Sequence, residues 1–447
     1  MTVGEPVHQL LRFALPMLIG NVAQQMYNTA DSIIVGRYVG DNALAAVGSA
    51  SPILNLLLVL FVGISVGAGI MVSQYFGARQ RDDLSRAIGC CITMTFVSSA
   101  IVMVLAPIIT MPLLRLLNTP DEIINWCNGY LRIIFIGIAG CACYNIFGGI
   151  LRGLGDSVSA LVYLIISTII NIFLDIYFVA NLGMGVSGVA LATVIAQGIS
   201  ALLLFLKLRR KTDCFDMRKA YLKPEKKYLE KLVKLGLPSG LTQAILSLSF
   251  VVVQSLANTF GPMCIATNVI VMRIDGFVMM PAFSFGAAMT TFAGQNIGAG
   301  NMKRVEEGAK HGTIVAMATS AVITCLILLF GRLLMALFTD TEALIDQSYH
   351  MMMILGFGYI AMEVTQCLQG IMRGAGDTMA PMWLSMITTV AIRVPLAYLM
   401  TWITRSPENP HGQFYMFFVS LLVTWLIGAT LTFIVYKAGR WKNKALI

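Results

Sequence analysis

Six ionisable side chains lie inside long apolar stretches of the 447-residue chain. They are the acids Asp31, Asp175, Asp275 and Glu363 and the arginines Arg273 and Arg393. A charge at the centre of a lipid bilayer costs at least ~2.5–3.5 kcal/mol on insertion scales. Ionisable residues in such stretches therefore usually face a cavity, pair with one another or move ions.

In the N-terminal half, the polar residues are spaced so that they share helix faces. Asn171 and Asp175 are four residues apart, and Gln24 and Asn28 precede Asp31 by seven and three, which are same-face spacings. Two carboxyl groups in a low-dielectric pocket cannot both ionise cheaply, so the pair could hold one proton. With amide and hydroxyl oxygens nearby it could instead hold Na⁺, a hard cation. The structural alternative is a hydrogen-bond network that only fixes helix packing.

The C-terminal half carries the other four ionisable residues. Arg273 and Asp275 are two residues apart, so they do not face each other on one helix. Arg393 with Glu363 is a candidate ion pair across helices. This cluster is expected either to form static buried pairs or to bind a cationic substrate through Asp275 or Glu363.

The elements that position these residues are apolar helices. Hydrophobic types make up 57% of the chain, charged types only 12%, and mean hydropathy is +0.79, whereas soluble domains carry roughly 25% charged residues. The hydropathy pattern predicts an all-α polytopic membrane protein with twelve transmembrane helices. They are expected near residues 10–35, 43–76, 87–113, 126–150, 158–180, 186–207, 230–258, 264–296, 308–337, 345–370, 381–404 and 412–437.

The net charge of +9 is distributed unevenly between the connecting segments. With the N-terminus in the cytoplasm, the basic clusters at 79–86, 207–234, 303–310 and 437–444 all fall on the cytoplasmic side. This bias predicts a multi-pass protein of a plasma membrane, of the bacterial inner-membrane type, with both termini cytoplasmic. The polar segment 207–229 is predicted to be a cytoplasmic linker between an N-terminal lobe, 1–206, and a C-terminal lobe, 230–447.

Two motifs recur in the two halves with one constant offset. Gln-x-x-Gly-Ala begins at Gln74 and Gln295, and Arg-Gly-x-Gly-Asp begins at Arg152 and Arg373, each pair 221 residues apart. Six helices therefore repeat in the same orientation, and such parallel repeats in transporters place the substrate site between the halves. The Arg and Asp of each turn could form gating ion pairs or merely fix the turn.

These duplicated motifs, together with Gly183–Gln197 at the start of the sixth helix, resemble the multidrug and toxic compound extrusion (MATE) family. The resemblance covers essentially the whole chain. It implies twelve helices in two six-helix bundles that form a V. It also implies export of organic, often cationic and amphipathic, compounds by secondary antiport against H⁺ or Na⁺, with no other cofactor.

Within that family the chain is more similar to the DinF-like branch than to the NorM-like branch. Asp31, Asn171 and Asp175 match residue by residue the coupling set that the DinF-like branch carries on its first and fifth helices. The resemblance adds Gln24, Asn28, Asn145 and Thr193 as a candidate cavity in the N-terminal lobe. The predicted seventh helix has no acid in its apolar part, unlike the NorM-like branch.

Other functions fit the sequence less well. The scattered cysteines and histidines show no metal-ligand spacing and there is no nucleotide-binding glycine loop, which argues against an enzyme, an ATP-driven pump and a zinc site. The runner-up is a flippase for a lipid-linked saccharide or cell-wall precursor, but four acids against two arginines at membrane depth favour cationic or neutral substrates. The expected partners are small organic molecules and the lipid bilayer, without nucleic acid, and the expected state is a monomer.

Overall fold

The structure is a computed structural model that describes residues 1–117, 119–211, 213–407 and 410–447, with the backbone alone at 41, 60, 250 and 251. Thr212, inside the predicted linker, lies outside the described residues. Fifteen α-helices occur within these ranges: α1 (Pro6–Tyr38), α2 (Asp41–Gly77), α3 (Arg81–Leu116), α4 (Asp121–Ile136), α5 (Ile138–Gly153), α6 (Ser157–Asp175), α7 (Gly185–Arg209), α8 (Lys226–Ala257), α9 (Pro262–Val278), α10 (Met280–Gly298), α11 (Met302–Ala336), α12 (Glu342–Gly374), α13 (Met379–Met386), α14 (Arg393–Ile403) and α15 (Tyr415–Lys437).

Short helical segments of other types extend several of these helices. A π-helix, Ile176–Asn181, follows α6, and a second, Ile387–Ile392, joins α13 to α14. Three 3₁₀ turns complete the described elements: Lys219–Leu222, Asn258–Phe260 and Arg440–Asn443. π-Helical turns are frequent at functional sites, and these two adjoin Asp175 and Arg393.

The apolar helices confirm the predicted fold class. In the described chain, 10 helical stretches are long and apolar enough to cross a membrane, and the bent pair α4–α5, with an angle of 53°, makes an eleventh. Helix α1 is not among these stretches, because its polar residues lower its mean hydropathy. It is nevertheless long enough to cross a bilayer, since its 33 residues extend about 50 Å at 1.5 Å per residue. The protein is therefore an all-helical, multi-pass membrane protein.

The chain divides into two compact units. One comprises Leu15–Gly240, and the other comprises Met1–Ala14 together with Leu241–Leu446. The divisions fall beside Pro16 and Pro238, the prolines inside α1 and α8. Proline removes a helix hydrogen bond and allows a bend. The second division thus lies inside α8, whereas the sequence places the boundary in the 207–229 linker.

Glycines bring α2 and the start of α8 close together within the first unit. A Cβ on Gly67 would lie 2.7 Å from the Gly236 nitrogen, and one on Gly63 would lie 2.6 Å from the Gly236 oxygen. Only residues without a side chain allow this approach, which is the usual role of small residues between membrane helices.

The predicted linker is held against α3. Arg81 forms an ion pair with Asp216 at 2.9 Å, and the Tyr221 hydroxyl donates to Asp82 at 2.8 Å. The hydrogen bond from Arg81 holds the pKa of Asp216 below its usual range. A Cβ on Gly89 of α3 would lie only 2.0 Å from the Tyr221 carbonyl oxygen, so the linker backbone packs directly on this glycine. This part of the linker is therefore a packed element and not a free connection.

The two Arg-Gly-x-Gly-Asp turns serve as helix caps. Asp156 accepts hydrogen bonds from the backbone nitrogen and hydroxyl of Ser159, both at 2.9 Å, and pairs with Lys211 at 2.9 Å. Asp377 accepts from the Ala380 nitrogen at 3.1 Å. These contacts support the turn-fixing interpretation, since N-terminal caps of this kind satisfy free backbone donors. The positive φ angles of 89° and 95° at Gly155 and Gly376 explain why glycine recurs there.

Candidate functional site

The predicted acids of the N-terminal half meet in one cluster between α1 and α6. With its amide nitrogen turned toward the acids, Asn171 donates to Asp31 Oδ1 at 2.7 Å and to Asp175 Oδ2 at 3.1 Å. Asn171 and Asp175 are fully buried, and Asp31 is partly buried. One amide nitrogen thus lies within hydrogen-bonding distance of both carboxyl groups.

Two tyrosines that the sequence analysis missed complete this cluster. Tyr27 precedes Asp31 by one helix turn, and Tyr130 of α4 lies in the same hydrophobic core as Ile34 of α1 and Ile172 of α6. Both tyrosines are buried. Tyr27 could have been found from its four-residue spacing to Asp31. Nothing in the sequence around Tyr130 indicates its position, because only the packing of α4 brings it there.

The arrangement can take up and release a small cation. Two carboxyl groups that contact one amide nitrogen in a buried site cannot both ionise cheaply, so the pair favours holding one proton. When that proton leaves, Asn171 can donate to both carboxylates. Asp175 Oδ1 has no hydrogen-bond partner among the described residues, so the cluster retains a free acceptor. A buried acceptor without a partner is costly unless a proton, an ion or water satisfies it.

The other residues of the predicted N-terminal cavity are placed differently. Thr193 accepts a hydrogen bond from the Tyr27 hydroxyl at 3.3 Å and so joins the edge of the cluster. Asn145 instead donates to the Cys141 carbonyl of its own helix at 2.9 Å. In the described part of the chain, Gln24 and Asn28 make no side-chain hydrogen bond to the acids; Gln24 is partly buried and Asn28 is exposed.

A second ionisable cluster lies within the other unit. Tyr359 of α12 donates a short hydrogen bond to Asp275 of α9, and its ring packs on Trp425 with centroids 5.6 Å apart. Arg393, directly after the π-helix 387–392, interacts electrostatically with Asp275. Arg273 is exposed on another face of α9. The structure therefore brings Asp275 and Arg393 together and leaves Arg273 apart.

Glu363 lies one helix turn after Tyr359 and is completely buried. Neither carboxylate oxygen has a hydrogen-bond partner among the described residues. The predicted ion pair between Glu363 and Arg393 is thus not formed, because Arg393 is oriented toward Asp275. A buried carboxyl group without a partner is expensive, so Glu363 is poised to bind a proton or a cationic group.

Comparison with known protein families finds a match in each half of the chain. A profile of the MatE family matches residues 16–177 and 238–399, one match in each half and both of equal length. The chain belongs to the MATE family. The two matches confirm the internal repeat, and membership makes the protein a transporter and not an enzyme.

Curated relatives support this family assignment, and a solved transporter structure supports the fold. The chain is 31% identical over 400 residues to "Probable multidrug resistance protein YoeA" of Bacillus subtilis, covering 88% of this chain and 86% of that one. It is 28% identical to "Probable multidrug resistance protein YpnP" of the same organism, covering 100% and 98%. A transporter structure from Pyrococcus furiosus has the same fold, with a TM-score of 0.90, 24% identity and coverage of 98% and 96%. These relatives give no support to the flippase alternative, and assignment to the DinF-like branch stays a prediction.

Proposed function

We propose that this MATE transporter is a secondary antiporter that exports organic, cationic and amphipathic compounds in exchange for a coupling ion. The names of the relatives concern multidrug resistance, which supports drug export. The coupling ion binds at Asp31, Asn171 and Asp175. The observation that carries this proposal is the buried carboxyl pair bridged by one amide.

The geometry favours H⁺ over Na⁺ as the coupling ion. Both carboxyl groups contact one amide nitrogen in a buried site, where two negative charges are costly and one bound proton removes that cost. The Asn171 amide then stabilises the carboxylates when the proton is absent. For this exchange to drive export, the proton must bind one conformation of the carrier better than the other. Protonation removes a negative charge and so weakens a hydrogen bond that Asn171 donates, which changes how tightly α1 is held to α6.

In the other unit, we assign the cationic substrate to Asp275 and Glu363. Glu363 is buried without a partner, while Asp275 is already bound by Tyr359 and interacts with Arg393. Glu363 is therefore the stronger contributor, because its charge is not already compensated. The single substitutions Glu363→Gln and Asp275→Asn should both weaken binding of ethidium, Glu363→Gln the more. Equal ethidium affinity in both variants and in wild type would remove this part of the proposal.

We also propose, from the sequence bias of basic residues, that both termini are cytoplasmic in a cell with a bacterial-type inner membrane. In this orientation, the basic end of α11, the linker and the chain end after α15 face the cytoplasm. Reporter fusions to each terminus that signal only from the periplasm should both be silent. A signal from either terminus would reverse the proposed orientation.

Proton release on drug binding tests the coupling site directly. Ethidium is added to purified protein in detergent with a weakly buffered pH indicator, and released protons are counted per molecule bound. Wild type should release about one proton, whereas Asp31→Asn and Asp175→Asn should release none. Asn145→Leu is the matched control, because the Asn145 side chain donates only to Cys141 of its own helix, and should behave as wild type.

A further inference from the structure

A cavity of about 580 Å³ lies within the C-terminal unit, between α11, α12 and the end of α15. Neither Asp275 nor Glu363 lines it. Its size is within the ~300–1,000 Å³ range of small-molecule pockets. Its lining separates into a charged end and an apolar end.

The charged end carries three lysines and one glutamate, Lys310, Lys437, Lys442 and Glu306, which leaves a net charge of +2. Lys442 pairs with Glu306, and the Lys437 ammonium lies 5.7 Å from the Phe433 ring centroid. Among the described residues, Lys310 has no ion pair or hydrogen bond. Two ammonium groups thus face the cavity without a carboxylate partner.

The chain end is folded so that it closes this charged end. Gly439, with a positive φ of 72°, reverses the chain after α15. Trp441 then stacks on Tyr436 at 5.3 Å and donates from its ring nitrogen to the Tyr436 carbonyl at 2.9 Å. Trp441 is only 1% exposed. The ion pair between Lys442 and Glu306 fastens the turn to α11, so the cavity wall is built by specific contacts.

The apolar end lies deeper along the same helices. Ile314 and Met317 follow Lys310 by one and two turns on α11, and Phe433 precedes Lys437 by one turn on α15. Val364 of α12 completes this end. At 1.5 Å per residue, Met317 lies about 10 Å deeper along the helix axis than Lys310.

We propose that this cavity binds an anionic phospholipid from the membrane leaflet at the basic end of the helices. The phosphate headgroup would lie between Lys310 and Lys437, and part of one acyl chain would enter between Ile314, Met317 and Phe433. A cationic end next to an apolar end matches an anionic amphiphile, and basic pockets between membrane helices are suited to such headgroups. The assignment is independent of the coupling mechanism proposed above.

Lipid titration followed by native mass spectrometry tests the site. Detergent-purified protein is titrated with dioleoyl-phosphatidylglycerol, with dioleoyl-phosphatidylcholine and with inorganic phosphate. One phosphatidylglycerol should bind more tightly than phosphatidylcholine, and Lys310→Gln/Lys437→Gln should weaken its Kd roughly 30-fold. Lys303→Gln/Lys444→Gln is the control, because it removes the same charge from exposed lysines at the same end but outside the cavity.

Met317→Trp separates insertion of the lipid from simple attraction to surface lysines. It should fill the apolar end and weaken phosphatidylglycerol binding while every lysine is retained. The thermal midpoint of each variant shows that it is folded. Equal loss in the two double-lysine variants would overturn the proposal, as would equal affinity for the two lipids. Inorganic phosphate that binds as tightly as phosphatidylglycerol would instead assign the site to a soluble anion.

Discussion

The amide of Asn171 offers the most informative single perturbation of the coupling cluster. Asn171→Leu keeps a side chain of similar size but removes the donor that contacts Asp31 at 2.7 Å and Asp175 at 3.1 Å. Both hydrogen bonds matter most when the carboxyl groups are ionised, because only then do both oxygens need a donor. The substitution should therefore disfavour the ion-free state of the carrier.

The size of this effect follows from the number of bonds lost. Hydrogen bonds to charged groups contribute ~1.5–3 kcal/mol each. Loss of one such bond lowers the population of the ion-free state about tenfold, and loss of both lowers it roughly a hundredfold. Transport that requires ion release in every cycle should slow by a factor in this range.

Ethidium transport in proteoliposomes measures the effect, with Asn145→Leu as the matched control. Both substitutions replace an asparagine in the same unit by leucine, but Asn145 donates only to its own helix. We expect Asn171→Leu to transport at least about tenfold more slowly than wild type and Asn145→Leu to transport normally. Equal rates in the two variants would refute the role given to the Asn171 bridge.

Three further predictions concern stability. Tyr359→Phe should destabilise the protein by ~1–3 kcal/mol, because Asp275 loses its hydroxyl donor. Asp156→Asn should lower the thermal midpoint at neutral pH. Burial acts to raise the pKa of Asp156, but hydrogen bonds from Lys211 and Ser159 outweigh it and lower that pKa. The contribution of Asp156 to stability is therefore present above about pH 4 and is lost as pH falls through the lowered pKa. Gly67→Ala should cost ~1–3 kcal/mol, because its Cβ would collide with the backbone of α8.

Each of these predictions has a matched comparison. Tyr398→Phe removes a hydroxyl from a side chain that is 44% exposed and should be neutral. Gly48→Ala adds a Cβ with nothing within 4 Å, so a loss equal to that of Gly67→Ala would contradict the packing argument. A midpoint difference between wild type and Asp156→Asn that is already lost well above about pH 4 would contradict the assigned pKa direction.

The sequence was sufficient to predict the class of fold and to identify the three residues that meet in the proposed coupling cluster. Apolar runs identify membrane helices because a segment that crosses the bilayer must be predominantly apolar. Asn171 and Asp175 are neighbours in sequence at a helical spacing. Asp31 was found because an acid in an apolar run is costly unless it has a role. These are properties of single segments, which periodicity and residue type report directly.

Features that depend on packing between segments were missed or wrong. Arg393 was paired with Glu363, but Asp275 of α9 is the acid it interacts with, since depth in the membrane does not specify which neighbour a side chain meets. The sequence predicts a linker at 207–229 but not the contacts that Asp216 and Tyr221 of this segment make with α3. The break between α4 and α5 and the two π-helices were also not predicted, because each extends an apolar run without changing its hydropathy.

The central claim is ion-coupled export through the carboxyl pair, and one measurement tests it most directly. Wild type and Asp31→Asn are reconstituted in proteoliposomes, and ethidium transport is followed under an imposed H⁺ gradient and, separately, an imposed Na⁺ gradient. The account predicts that the H⁺ gradient drives transport by wild type, that the Na⁺ gradient does not, and that Asp31→Asn is inactive although it is folded. Transport by Asp31→Asn at the wild-type rate under the H⁺ gradient would contradict the account.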